Sequence, residues 1–206
     1  AQKIDSLSHV PDSTAFSQSL SEVVIKAFEE SKKYIDQPVP VFYLPASSLN
    51  RYSNNTILPA LNTVPGVRME ERSPASVRLN IRGSSLRSPF GVRNVKIYYN
   101  GIPVTDPGGD TYLNEFSFSD FGSMQIIKGP TGSIYGAGTG GAMLINSPLM
   151  ANNNDSASKA GISYETGSYG RQQADAVIKC CNGHAQNRIS YSDIKSNGYR
   201  NHTAMH

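Results

Sequence analysis

Through Ser19 the chain is Ser-rich and its few apolar residues follow no period, the pattern of a mobile tail. A β-branched block follows, Leu20-Ser-Glu-Val-Val-Ile-Lys-Ala-Phe28, set in polar surroundings and trailed by the charged run Glu29 to Lys33. It predicts a lone strand without a partner, or else the edge strand or first helical turn of the domain that follows. From Pro38 the pattern becomes that of a folded unit. Val39-Pro-Val-Phe-Tyr-Leu44 is predicted to be an extended sheet edge, because proline donates no hydrogen bond and pushes its predecessor into β space. Ser47 or Ser48 is placed to cap a short helix through Tyr52. Asn55 or Thr56 is placed to cap a second, with Pro59 in its first turn, Ile57, Leu58 and Leu61 as its apolar face, and Pro65-Gly66 as its stop.

Four β segments are predicted next: Val77 to Arg82, Val95 to Tyr99, Met124 to Lys128 and Ala142 to Asn146. Between the first two lies Gly83-Ser-Ser-Leu-Arg-Ser-Pro-Phe-Gly91, rich in loop formers. Asn100-Gly101 is the clearest hairpin signal, although Ile102-Pro103-Val104 is too short and Pro-interrupted for a central strand. Leu113, Phe116, Phe118 and Phe121 fit a short helix or turn leading into the third segment. Together these make a small α/β unit ending near Pro148. Beyond an Asn/Ser linker, Met150 to Ser158, the chain alternates polar and apolar, with Tyr standing where core aliphatics would, around Ile162, Tyr164, Ala174, Ile178, Ile189 and Tyr191. These are strands apolar on one face only. There is room for about three to four of them, whereas the smallest membrane barrels need about 8, so this tail either packs on the α/β unit or is the front part of something longer.

The length, 206 residues, suits one ordinary domain with an appendage. Only 17% of residues are charged and the net charge is +3, with no stretch of four basic residues, so the phosphate-neutralising stripe of a nucleic-acid binder is missing. No apolar run approaches the ~20 residues of a spanning helix. Ala1 to Leu20 has neither the basic start nor the apolar core of a secretory signal, which leaves a cytoplasmic chain or one whose signal has been removed.

Catalytic and metal chemistry find little footing. Cys180 and Cys181 are adjacent, too close for an ordinary disulfide, and no second Cys pair completes a zinc site. The four His residues fall near the ends or in polar runs. Gly136-Ala-Gly-Thr-Gly-Gly141 matches the letters of a dinucleotide fingerprint, but the extended Ala142-Met-Leu-Ile-Asn146 follows it where a helix must open. Asp106, Asp110 and Glu115 lack EF-hand spacing and read as a solvated turn. Glu70 and Glu71 are neighbours in sequence and would point apart if on a strand. Arg82, Arg87, Arg93 and Lys96 bracket the Gly83–Gly91 loop, either as an anion-attracting rim or as a solvated one. No metal site, cofactor or catalytic residue is expected, and no enzyme.

Four motifs, taken in order, carry a resemblance. They are Ala60-Leu-Asn-Thr-Val-Pro-Gly-Val67; Val77-Arg-Leu-Asn-Ile-Arg-Gly83; Val95-Lys-Ile-Tyr-Tyr-Asn-Gly-Ile-Pro-Val104; and Met124-Gln-Ile-Ile-Lys-Gly-Pro-Thr-Gly-Ser-Ile-Tyr-Gly136 with Gly140-Gly141-Ala142. The stretch from about Val39 to Pro148 resembles the plug domain of TonB-dependent outer-membrane receptors. The resemblance implies an α+β fold: a small mixed β-sheet with short helices, followed by truncated antiparallel β-barrel strands. It divides the chain into a flexible segment 1–37, a plug 38–148, and a linker with the first strands of a truncated barrel 149–206. In that family the plug sits inside its own barrel of about 22 strands, in the Gram-negative outer membrane.

The likeness extends to partners and sites. Glu22, Val23, Val24, Ile25 and Lys26, within 21–28, resemble the Ton box, the periplasm-facing segment that docks the periplasmic domain of TonB; an extended segment gripped through its backbone suits such a partner. The Ser-rich tail before it and the Glu29–Lys33 run after it then read as a tether. Arg82 and Lys128 align with basic plug positions that pair with barrel carboxylates, Lys128 standing where the family usually has Arg and so losing a bidentate fork. Ser84, Ser85, Leu86, Arg87, Pro89, Phe90, Thr105 and Asp106 fall in loops that would face outward toward a small-molecule substrate, such as a ferric siderophore, haem or cobalamin. The Gly136–Gly141 turn then reads as close backbone packing. A free-standing periplasmic or secreted binding module, and a small enzyme using the Gly-rich loop, are the alternatives.

Overall fold

The computed structural model describes residues 24–27, 30–33, 39–52, 56–73, 76–84, 92, 94–113, 116–130, 134–136, 140–151, 157–182, 185–199 and 201–205. Its centre is a five-stranded mixed sheet. In chain order the strands are β3 (Val41–Pro45), β6 (Val95–Tyr99), β7 (Ile102–Pro103), β8 (Ser123–Lys128) and β9 (Gly141–Asn146), laid side by side as β3-β8-β9-β6-β7. Only β6 and β9 run parallel; the other pairings are antiparallel. β8 is buried on both faces, with Met124 and Ile126 on one side and Ile127 on the other, and it takes Ser123 and Gln125 into the interior with them. β3 takes the sheet edge expected of a proline-flanked strand, and β7 is a two-residue edge on the Asn100-Gly101 turn.

One face of this sheet carries the main core. Met124 and Ile126 of β8, Met143 and Ile145 of β9, and Val95 and Ile97 of β6 pack with Leu49, Leu61, Met69, Leu79 and Phe121. Leu49 and Leu61 come from two one-turn helices, α1 (Ala46–Leu49) and α2 (Leu58–Leu61). The opposite face holds a smaller cluster of Val41, Ile127, Tyr135 and Ala142. Met69 and Leu79 belong to a separate hairpin of β4 (Val67–Ser73) and β5 (Ser76–Ile81).

Several local expectations are corrected. The α1 N-terminus is Pro45 with no side-chain cap, so Ser47 and Ser48 do not cap it, and α1 ends at Leu49 rather than Tyr52. At α2, the Thr56 hydroxyl accepts from the Leu58 N–H at 3.2 Å, one residue outside the formal cap. The segment expected as a lone strand has a partner: β1 (Val24–Ala27) pairs antiparallel with β2 (Glu30–Lys33), which recruits the charged run as a strand. Backbone pairing is indifferent to side-chain polarity when a neighbouring strand supplies the hydrogen bonds.

After a one-turn helix α3 (Pro148–Ala151), three long strands form an antiparallel meander: β10 (Lys159–Gly167), β11 (Arg171–Asn182) and β12 (Ala185–Lys195). No closed barrel forms among the described residues. Register places Ile162, Ala176 and Tyr191 on one row, and Ala160, Ile178 and Ile189 on the next, of a single face. That face is open: Ile162 is 89% exposed, Ile189 71% and Tyr191 68%. The other face carries Gln173, Asp175, Arg188 and Ser192, and it is this polar face that meets the α/β unit.

Candidate functional site

Arg82 follows directly on β5 and Lys128 is the last residue of β8, and the fold brings them close enough for their charges to interact. Arg82 sits at φ +52°, its N–H donating to the Gly66 carbonyl at 2.8 Å. Lys128 donates from Nζ to the Pro65 carbonyl at 2.5 Å and lies 5.4 Å over the Phe42 ring. Partial burial, and then the Arg82 charge, hold the Lys128 ammonium below its ordinary pKa. Neither cation has a carboxylate partner among the described residues.

Of the residues expected in outward loops, Ser85, Leu86, Arg87, Pro89 and Phe90 lie outside the described residues. Ser84 is half-buried and its hydroxyl accepts from Asn94 Nδ2 at 3.1 Å. Thr105 and Thr111 share a hydroxyl hydrogen bond of 2.8 Å. Exposed Asp106 accepts the Asp110 N–H at 2.9 Å, so its carboxylate closes its own turn. In the expected docking segment, Val24, Ile25 and Lys26 lie on β1, while Glu22 and Val23 lie outside the described residues.

The Gly-rich turn leads straight into β9, as close backbone packing requires and a dinucleotide site forbids. A Cβ at Gly141, whose φ is +133°, would lie 2.1 Å from the Ile127 carbonyl oxygen. No group of three His, Cys, Asp or Glu suited to a metal ion occurs among the described residues.

The contact that motif reading missed joins the α/β unit to the strands. Ser117 leads into a single 3₁₀ turn, Phe118–Asp120, which delivers the chain through Phe121 and Gly122 to β8. Arg188 of β12 pairs with the Asp120 carboxylate, the two side chains being 10% and 21% exposed, and its other terminal nitrogen donates to the Ser119 carbonyl at 3.3 Å. Asp175 of β11 is 5% exposed and accepts from Ser117 at 3.2 Å, from Ser192 at 2.6 Å and from Gln173 Nε2 at 2.9 Å. Tyr99 donates to the Asp120 carbonyl at 3.3 Å, and its phenol is pushed above its usual pKa by burial and then by the Asp120 charge, with Arg188 opposing. The available signal was alternation: Gln173, Asp175, Arg188 and Ser192 all fall on the strand face opposite the apolar one.

The fold is thus a small mixed-sheet unit fastened to the polar face of antiparallel strands whose apolar face is outermost. A family model, the TonB-dependent receptor plug domain, matches residues 33–143, and the chain belongs to that family. The fold is also similar to the ferric yersiniabactin uptake receptor FyuA from Yersinia pestis, at 20% identity and a TM-score of 0.52 over 77% of this chain. The copper transporter OprC is similar at 19% identity and a TM-score of 0.54 over 76% of this chain. The chain spans 24% of the length of each of these two solved chains.

Proposed function

We propose that this chain acts as the gate of an outer-membrane receptor for energy-coupled uptake of a scarce nutrient such as an iron chelate. Residues 1–37 carry the docking segment, 38–148 form the plug, and 149–206 hold the linker and first wall strands. The observation that carries this reading is the reversed polarity of the β10–β11–β12 sheet. A soluble domain hides its apolar sheet face, whereas here the polar face packs inward and Ile162, Ile189 and Tyr191 face out, the arrangement of a lipid-facing wall. One of the two similar solved structures is a ferric yersiniabactin uptake receptor and the other a copper transporter, which favours a metal-bearing substrate.

In this reading substrate binds from the outer side against loops that include Ser84, Thr105 and Asp106. The TonB periplasmic domain grips Glu22–Lys26 and force from the inner membrane shifts the plug. β1 is paired on one edge by β2, and β2 is its only strand partner among the described residues, so the other edge suits strand addition. Arg82 and Lys128 present two adjacent cations to carboxylates of the barrel wall.

The test is a binding titration of this chain with the periplasmic domain of TonB, run beside a Val24→Pro variant that removes a backbone donor and narrows φ. The parent is expected to bind and the variant to lose binding. Binding that ignores the proline would move the docking segment elsewhere, and no binding by the parent would remove the docking role.

A further inference from the structure

We infer that the Ser117–Asp120 turn, clasped by Arg188 and Asp175, is the latch that holds the plug against its wall strands, and that these four positions set whether the two move together. The inference rests on the plug reading only for its consequence in transport; the contact itself stands on the geometry.

Its polarity is the reverse of the pairing expected at Arg82 and Lys128, because here the plug supplies the carboxylate and the wall supplies the guanidinium. Arg188 makes a two-point contact, with the Asp120 carboxylate and the Ser119 carbonyl. The planar fork of arginine suits that geometry, and an ammonium does not. Asp175 supplies the complementary half, a buried carboxylate receiving hydroxyls from both sides of the interface: Ser117 from the plug and Ser192 from the wall. Breaking one side of such a pair strands a partly buried charge, so the contact favours fully closed or fully open over intermediate states.

The position of the turn gives the latch its leverage. Phe121 and Gly122 alone separate it from β8, the strand hydrogen-bonded to both β3 and β9 at the centre of the plug. Phe118 and Phe121 anchor the turn in the plug core, their ring centroids 5.7 Å apart. A shift of β8 is therefore delivered to Asp120 with little slack. Asp120, Arg188, Asp175 and Ser117 act here as positioning residues.

The test uses the 206-residue chain with D120N, R188Q and the combined variant, and hydrogen exchange as the readout. Each single variant is expected to speed exchange in β11 and β12 by about tenfold or more, while amides of β6, β8 and β9 keep their protection. The combined variant should add little, because one substitution already opens the pair and the second relieves the stranded charge. Should either charge variant fold poorly, S117A/S119A removes the hydroxyls that reach Asp175 at 3.2 Å and 3.5 Å without stranding a guanidinium, and a smaller rise confined to β11 and β12 is expected.

Tyr99 supplies a second readout that simple loosening would not give. R188Q removes the charge that lowers its pKa and D120N removes the one that raises it, so the phenol should titrate at higher pH in R188Q than in D120N. A common Tyr99 midpoint in the two variants, exchange that rises equally in the central sheet, or no rise at all would each overturn the latch. None of these outcomes depends on TonB binding, so the latch and the docking segment fail or stand separately.

Discussion

Gly141→Ala is expected to be among the most damaging single-methyl changes in this chain. The new Cβ would fall 2.1 Å from the Ile127 carbonyl oxygen and 3.3 Å from the Gly129 nitrogen, both backbone atoms with no rotamer to yield. Relief requires β8 and β9 to separate by about an ångström where Lys128 faces Gly141, the last pair of their ladder. Overpacking of this kind costs about 1–3 kcal/mol, and a Gly-only backbone conformation about 1–3 more. A total of about 2–6 kcal/mol stands against a typical domain stability of about 5–15 kcal/mol. With a urea slope of about 2 kcal/mol/M, the midpoint should fall by roughly 1–3 M. Two companions separate the causes. Gly101→Ala has φ +81° and nothing within 4 Å, so it bears conformational strain alone, about 1–2 kcal/mol. Gly161→Ala lies in β10 with open space around it and should change stability by less than about 0.5 kcal/mol. Urea unfolding followed by far-UV circular dichroism ranks the three. A Gly141→Ala midpoint no lower than that of Gly101→Ala would show that close backbone approach is not why the turn is Gly-rich.

Two further predictions follow from the surface and from titration. Replacing Ile162, Ile189 and Tyr191 together by Ser should leave the urea midpoint nearly unchanged while reducing detergent binding and self-association in light scattering, since each large side chain forgoes about 1.5–3 kcal/mol of burial in water; a lowered midpoint would mean that this face is packed. Lys128 should lose its proton at a lower pH than an ordinary lysine, and Arg82→Gln should move it part of the way back up, read by NMR of ¹³C-methylated lysines; an unmoved Lys128 would refute the neighbouring charge. Because its folded pKa is depressed, the native chain binds fewer protons in that alkaline window and stability rises with pH across it.

Much of the plug was legible because its strands carry their own signal. Val95–Tyr99 is bounded as expected, the Met124 and Ala142 segments each begin one residue earlier, and the Val77 segment moves back by one residue at both ends, because buried strands keep β-branched and apolar residues at their inward positions. β4 was missed for the opposite reason. Val67 and Met69 alternate correctly with Arg68 and Glu70, but Glu71-Arg72 ends the apolar pattern and only pairing with β5 carries the strand on to Ser73. β2 was hidden in the same way, since Glu30-Ser-Lys-Lys33 becomes a strand only beside β1. The Asp120–Arg188 pair was beyond reach of any local pattern, because the residues are far apart in sequence and meet only once three strands are in register and their polar face is turned inward.

That inward turn is what ties the latch to the proposed role. An ordinary antiparallel sheet would bury Ile162, Ile178, Ile189 and Tyr191 on the plug and leave Asp175 and Arg188 in water, gaining apolar burial and avoiding charge desolvation. The chain does the reverse. Its strands contact the plug where Asp175 and Arg188 meet the Ser117–Asp120 turn, and β10 and β12 each keep one edge without a strand partner among the described residues. In water this arrangement is costly on both faces and invites edge association. It becomes favourable when hydrocarbon meets the apolar face and further strands close the edges, for then the polar face is the one that must find partners within the protein. A polar interface has a second property that an apolar one lacks: water that enters as it opens can solvate each separated group, so the plug can leave its wall without exposing a greasy surface on either side. On the proposed reading, the residues that make the sheet look inside out are the same ones that hold the gate and let it go.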